Sequence, residues 1–265
     1  MFRFINLYSG SSGNCSFIES DNSKILIDCG ASCKKTEEAL NLYNTSLSDI
    51  DAILLTHEHS DHIKGLATTS KKFNIPIYAN KKTMDNIKLD LSNSELVNFK
   101  TNQDFDINDL KIHSFSIPHD AADPCGFSVY NKDKKISIAT DIGHMTTNII
   151  KNLEGSDFLL LEANYSPELL RYSRYPYLLK QRIVGPNGHL SNDESGNTIS
   201  SLLKSDVKNI MLGHLSKENN FPELAYQTVM ESLINKGANT SKFKLSVADR
   251  DKPNDAIEIN KKSKK

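Results

Sequence analysis

The sequence predicts a layered α/β domain in which β-sheets are covered by helices. Short apolar or alternating runs of strand length lead the chain and then alternate with amphipathic runs of helix length. No linker rich in Pro, Gly or Ser splits the chain, and no repeat of fixed period is present. With 265 residues, 38% of them hydrophobic, there is ample apolar material for a buried core.

The opening runs Arg3–Ser9, Cys15–Ser20 and Lys24–Cys29 read as strands, broken by Gly, Ser or Asp-Asn turn residues. A helix is expected at Cys33–Tyr43. Ala52–Thr56 is short and almost continuously apolar, which suits a strand buried on both faces. Helical pattern at Ile63–Phe73 is followed by strand pattern at Ile75–Asn80 and Leu110–Pro118. Gly126–Thr140 reads as a hairpin whose turn is centred on Asn131 to Lys134. Thereafter Met145–Gly155 is helical, Asp157–Asn164 a strand, Ser166–Arg174 helical, Asn209–Ser216 a strand, and Pro222–Gly237 a helix capped by its glycine. The domain is expected to span residues 1–258, with 259–265 a basic, disordered tail ending KKSKK.

Composition narrows the functional classes. Thirty-two basic against 33 acidic residues leave a formal charge of -1, so no global field draws the protein to nucleic acid or membrane, and any polyanion must be held locally. The N-terminus lacks the features of a signal peptide, and no run reaches the roughly 18 apolar residues of a membrane span. Cys15, Cys29, Cys33 and Cys125 form no CxxC pair and no disulfide framework, which fits reduced, buried thiols. A cytoplasmic location is therefore expected, and no protein partner or oligomeric state is deducible.

The most informative string is Thr56-His57-Glu58-His59-Ser60-Asp61-His62, which starts at the last residue of the apolar Ala52–Thr56 run. A lone histidine is usually a satisfied core or surface residue. Three histidines and an aspartate within six positions are costly as filler, because each needs a partner once removed from water. A metal offsets that cost. In extended chain His57 and His59 point the same way and can share one ion. Asp61 and His62 fall where the chain enters a helix and can reach a second ion, so the spacing suggests two.

This motif resembles the defining motif of metallo-β-lactamase-fold hydrolases, and that resemblance implies an αββα four-layer sandwich with two mixed β-sheets flanked by helices. Other pieces follow in order. Asp28 in ILIDCG resembles the aspartate that supports the ligands from behind. His119 in SIPHD resembles the third metal histidine, Asp141 in IATDIG the bridging carboxylate, and His214 in MLGHLS the last histidine. By resemblance, one ion would lie among His57, His59, His119 and Asp141, and the other among Asp61, His62, Asp141 and His214. The donor set suits zinc or manganese, with iron not excluded. Two such metals can share a water acidified from pKa 15.7 toward about 7. No protein nucleophile is then needed, in keeping with the absence of a convincing GxSxG motif.

SGSSGNC at Ser9–Cys15, EANYSPELLRYSRYPYLLKQRI at Glu162–Ile183 and NGHLSNDES at Asn187–Ser195 resemble the YycJ (VicX) subfamily, a bacterial group of DNA exonucleases. The resemblance implies 5′-to-3′ cleavage of DNA, with Asp61 and His189 required for turnover. His189 occupies the place where ribonuclease Z and ribonuclease J have a histidine that contacts the phosphate or protonates the leaving oxygen. The large inserted domain of ribonuclease J has no room between 141 and 189, and the long arm of ribonuclease Z is missing. Arg171–Arg182 is basic with interleaved tyrosines, a composition that can hold phosphates and stack bases, and within it Arg174 and Lys180 are favoured. Ser11, Ser12 and Asn14 could present backbone N–H groups to a phosphate, and His144 could line the pocket. His113 is expected to be packed or exposed without chemistry. Two rival functions are hydrolysis of a small ester (cyclic phosphodiester, lactone or thioester) at the same metals, and a binding protein in which metal is structural only.

Overall fold

The computed structural model describes residues 1–259 and forms two seven-stranded mixed sheets. The first contains β1 (Phe2–Tyr8), β2 (Cys15–Ser20), β3 (Lys24–Ile27), β4 (Ala52–Leu54), β5 (Ile77–Asn80), β6 (Leu96–Phe99) and β14 (Ile257–Glu258), in the order β14-β1-β2-β3-β4-β5-β6. The second contains β7 (Asp104–Ile107), β8 (Leu110–Ser116), β9 (Cys125–Asn131), β10 (Lys134–Ala139), β11 (Phe158–Glu162), β12 (Asn209–Gly213) and β13 (Lys244–Val247), in the order β13-β12-β11-β10-β9-β8-β7. Each sheet is antiparallel on one side and parallel on the other. The parallel runs are β3-β4-β5-β6 and β10-β11-β12-β13.

Alternation along these strands builds the layers. Ile25, Ile27, Ala52 and Leu54 of the first sheet meet Ile136, Ile138, Phe158 and Leu160 of the second in the central core. Phe4 stacks on Phe158 across it, with ring centroids 4.3 Å apart. The intervening residues Leu26 and Ile53 face outward onto α1 (Cys33–Asn41) and α3 (Leu66–Phe73). On the other flank Leu159, Leu161, Ile210 and Leu212 pack beneath α5 (Thr147–Leu153), α8 (Asn192–Leu202) and α9 (Pro222–Asn235). The near-continuous apolar strands are therefore buried on both faces, and the order helix-sheet-sheet-helix is the expected four-layer sandwich.

Several elements escape the sequence pattern. The helical run Ile63–Phe73 is two pieces, α2 (Ser60–Ile63) and α3, separated at Gly65, whose Cα has only room for hydrogen because a Cβ would lie 1.9 Å from the Ala31 carbonyl oxygen. Strands β6, β7, β13 and β14 are short and largely half-exposed or exposed edge pieces without a strong apolar signal. A short helix α4 (Lys81–Asn86) follows β5, and Tyr177–Val184 forms α7 after α6 (Pro167–Tyr172). Gly237 caps α9 as expected, in the left-handed region, with the Ala238 N–H returning to the Leu233 carbonyl at 2.9 Å. Ile259 is buried and its N–H donates to the Phe2 carbonyl, so packing continues one residue past the expected boundary; the rest of the expected tail lies outside the described residues.

Candidate metal centre

The site forms at the carboxyl ends of strands from both sheets. Asp28 follows β3, Thr56 to His62 follow β4, His119 follows β8, Asp141 follows β10, Glu162 ends β11 and His214 follows β12. Parallel strands all point their carboxyl ends the same way, so residues remote in sequence meet at one sheet edge. Asp28, Asp141 and His214 adopt left-handed backbone, with φ of 62°, 59° and 56°. For non-glycine residues this is uncommon and costs about 1–3 kcal/mol each, strain that the surrounding contacts must hold in place.

Two groups of donor atoms converge, and Asp141 stands between them. In one, His59 Nδ1 and His119 Nε2 are 3.3 Å apart, the ring centroid of His57 lies 4.6 Å and 5.2 Å from theirs, and His119 Nε2 is 3.7 Å from Asp141 Oδ1. In the other, Asp61 Oδ2 lies 3.5 Å from both His62 Nε2 and His214 Nε2. Asp141 Oδ2 is 3.3 Å from His62 Nε2 and its Oδ1 is 3.4 Å from His214 Nε2.

These separations suit cations. Ligand atoms on a tetrahedral ion with bonds of about 2.1 Å sit about 3.4 Å from one another. His57 Nε2 and Asp141 Oδ2 are buried without a hydrogen-bond partner, an expensive condition that a cation at either position would relieve. Nitrogen and carboxylate donors, with no thiolate among them, match a borderline or hard divalent ion.

Outer partners fix which ring nitrogen faces inward. His62 Nδ1 donates to Asp28 Oδ2 at 2.8 Å, His119 Nδ1 to the Gly188 carbonyl at 3.0 Å, and His214 Nδ1 to Glu162 Oε1 at 3.0 Å. His57 Nδ1 lies 2.9 Å from the Thr56 hydroxyl, which is itself held by Asp28. In each case Nε2 is left for the centre. Gly30 lets the loop after β3 pass against Asp61, because a Cβ there would sit 1.7 Å from the Asp61 carbonyl oxygen.

Glu162 is a residue that sequence reasoning missed. It is fully buried, and four donors converge on it: His189 Nδ1 and His214 Nδ1 on Oε1, and the N–H groups of Ile142 and Leu190 on Oε2. That full acceptor set makes it a support for two histidines and leaves no lone pair free for a cation. Its only signal in the sequence is an acid closing a strand as apolar as FLLLE.

The electrostatics follow from this packing. Burial, reinforced by the neighbouring His62, pushes His57 well below the ordinary imidazole value, and burial also lowers His119. Against the cost of burial, Asp28, Asp141 and Asp61 hold His62 well above that value. His214 is buried too, but Asp141, Asp61 and Glu162 raise it to about 10. His189 is raised by Glu162 despite its burial, while Asp141, also buried, is held well below the usual carboxylate range by His214 and His62.

Residues 23–214 match the family model described as the Beta-lactamase superfamily domain. The chain belongs to this superfamily. Its relatives include Exodeoxyribonuclease YycJ of Bacillus anthracis, 34% identical over 238 residues that cover 89% of this chain and 90% of that protein. Exodeoxyribonuclease WalJ of Streptococcus pneumoniae serotype 2 is 39% identical over 237 residues, 88% of each. Among solved structures, the metallo-β-lactamase-fold protein YhfI from Bacillus subtilis superposes with a TM-score of 0.69 at 15% identity, covering 96% of this chain and 99% of that one. The short form of human tRNase Z gives 0.65 at 18% identity, covering 97% and 99%. At such identities the structures show the fold alone. The chain is thus a hydrolase of the metallo-β-lactamase fold whose His/Asp cluster fits divalent metal.

Around the superfamily centre lies a cleft of ≈ 210 Å³ lined by His59, Asp61, His119, Asp141, His189 and His214. Not every residue favoured from sequence reaches it. Ser11 lines the cleft, but Ser12 is an exposed loop residue outside it. Asn14 is turned inward: its side chain contacts Asp61 Oδ2 and His62 Nε2 and its N–H donates to the Asp61 carbonyl, so it braces those two residues and offers no backbone amide to a phosphate. The Gly13 N–H is likewise taken by the Gly10 carbonyl. His144 is exposed and tied to the Pro186 carbonyl, away from the lining. Arg174 is exposed outside the cleft, and Lys180 Nζ donates to the Arg171 carbonyl. The helical phase of α7 instead turns Leu179, Arg182 and Ile183 inward, together with Tyr175. His113 pairs with Asp104 of the neighbouring strand β7 and does not line the cleft.

Proposed function

We propose that this chain is a dinuclear metal-dependent phosphodiesterase acting on DNA, and specifically an exodeoxyribonuclease. The observation that carries the reading is the meeting of two donor groups at one shared carboxylate, Asp141, with His189 beside them in the same cleft. The names of the relatives YycJ and WalJ supply the substrate class. One ion would be held by His57, His59, His119 and Asp141, and the other by Asp61, His62, His214 and Asp141. Zinc or manganese suits these donors. The chemistry such a pair supplies when bound is water acidified from pKa 15.7 toward about 7, together with charge neutralisation at a phosphoryl oxygen.

The chain's own side chains do the rest. Asp61 and Asp141 keep their negative charge because buried imidazoles surround them, so they are ready to hold cations at neutral pH. His189 is fixed through Nδ1 by Glu162, and the same carboxylate raises its pKa against the effect of burial and so favours the protonated ring. Its Nε2 is the group we assign to protonating the leaving oxygen. The 5′-to-3′ direction belongs to this reading through the YycJ resemblance. A cytoplasmic location belongs to it through four buried, free cysteines. No described helix is long and apolar enough to cross a membrane.

The test is digestion of DNA and RNA oligonucleotides labelled at either end, by protein loaded in turn with manganese and zinc, with a chromogenic phosphodiester in parallel. DNA should shorten progressively from its 5′ end, Asp61→Ala should abolish this, and His189→Ala should slow it about 10²–10⁴-fold while metal content is kept. Turnover of the small diester with all oligonucleotides intact would overturn the nuclease assignment in favour of a small-ester hydrolase.

A further inference from the structure

One wall of the cleft comes from α7 and from Tyr175, two residues before its start, through Tyr175, Leu179, Arg182 and Ile183. Arg182 donates from Nε to Asp120 Oδ2, and no hydrogen bond engages its two terminal nitrogens among the described residues. The guanidinium is thus gripped along its side while its outer fork stays open, the geometry that suits bidentate recognition of a phosphate. The other oxygen of Asp120 is 3.4 Å from His119 Nε2. Arg182 therefore sits one carboxylate away from His119, on the lining of the same cleft as Asp141 and His189.

The helix carrying it is tied to the reacting groups. The His189 N–H donates to the Ile183 carbonyl at 3.0 Å, and the Gly188 carbonyl between them accepts from His119 Nδ1. A Cβ on Gly188 would lie 2.1 Å from the Ile183 carbonyl oxygen, so the chain there passes as closely as glycine permits. Beneath α7, Leu179 and Tyr175 rest on a small cluster of Tyr165, Leu170 and Ile183. Arg182 and His189 are accordingly joined through one stretch of backbone, and aromatic and aliphatic side chains line the same cleft as the guanidinium.

We propose that Arg182, held by Asp120, anchors the phosphate next to the scissile one, with Tyr175, Leu179 and Ile183 forming the apolar wall for its nucleoside. This deepens the nuclease reading and rests on it. A stacked base and a charged fork side by side make a nucleotide subsite, whereas a small ester without a neighbouring phosphate gains nothing from the fork.

The experiment compares wild type, Arg182→Ala and Arg182→Lys as metal-loaded enzymes on a DNA oligonucleotide and on bis(p-nitrophenyl) phosphate, with metal content measured for each. A non-hydrolysable phosphorothioate oligonucleotide gives the salt dependence of binding. Arg182→Ala should lose about 10–100-fold more kcat/KM on the oligonucleotide than on the small diester, mainly through KM. Its plot of log affinity against log salt should flatten by about 0.7, the share of one phosphate contact on a single strand. Lysine, which keeps charge without the fork, should restore the slope and only part of the KM. Equal losses on both substrates, an unchanged slope, or loss of metal from Arg182→Ala would overturn the subsite while leaving the nuclease reading intact. A wild-type enzyme that cuts only the small diester would overturn both.

Discussion

Replacing Glu162 with Gln is the sharpest probe of how the centre is held. The carboxylate accepts from four donors in a fully buried position, and the amide oxygen of glutamine can satisfy two of them. Its NH₂ would face the other two donors head-on. Each donor left unsatisfied in the interior costs about 1–3 kcal/mol, so the substitution should destabilise the fold by about 2–6 kcal/mol. One escape is for His214 to give up its Nδ1 proton and keep the one on Nε2, the atom that faces Asp61 and Asp141. Metal affinity at the Asp61–His62–His214 group should then fall about 10–100-fold, as is usual when a ligand's supporting partner is lost. Urea unfolding of the metal-free protein and competitive metal titration measure the two effects separately. Stability within about 0.5 kcal/mol of wild type, the range of an ordinary surface change, would refute the reasoning, as would unchanged affinity for both ions.

Two further outcomes follow from the same contacts. Gly30→Ala should yield little folded protein, or folded protein that holds less metal, because its Cβ would lie 1.7 Å from the Asp61 carbonyl oxygen; circular dichroism and elemental analysis would show which. His62 and His214 have folded-state pKa values raised above the unfolded value of about 6.5, so in metal-free protein their stabilising contribution is full below that pH and lost as pH rises through the folded values, about 10 for His214. Thermal melts of the metal-free chain should therefore decline across that window, and metal binding at pH 7 should release protons, detectable as a buffer-dependent calorimetric enthalpy.

What could be read from the sequence depended on how local the signal was. The His57–His62 cluster was legible because its donors lie on one strand end and the first turn of a helix, where spacing alone sets direction. His119, Asp141 and His214 came through resemblance, since nothing in their neighbourhoods shows that β8, β10 and β12 end at one edge. Glu162 stayed hidden because its four partners arrive from three other segments. Arg182 was passed over for Arg174 and Lys180 because the basic run was read as composition, without the helical phase that places residues 179, 182 and 183 on one face. The strands missed, β6, β7, β13 and β14, are edge pieces whose polar and half-exposed residues lack the period-two contrast that marked their neighbours.

In the proposed function Asp141 joins two cation sites into one reactive centre. Elemental analysis of wild type and Asp141→Ala after identical manganese or zinc loading tests it most directly. We predict two ions per chain in wild type and a severe loss at both positions in the variant, with the fold retained. Fewer than two ions in wild type, or two ions still bound after Asp141→Ala, would contradict it.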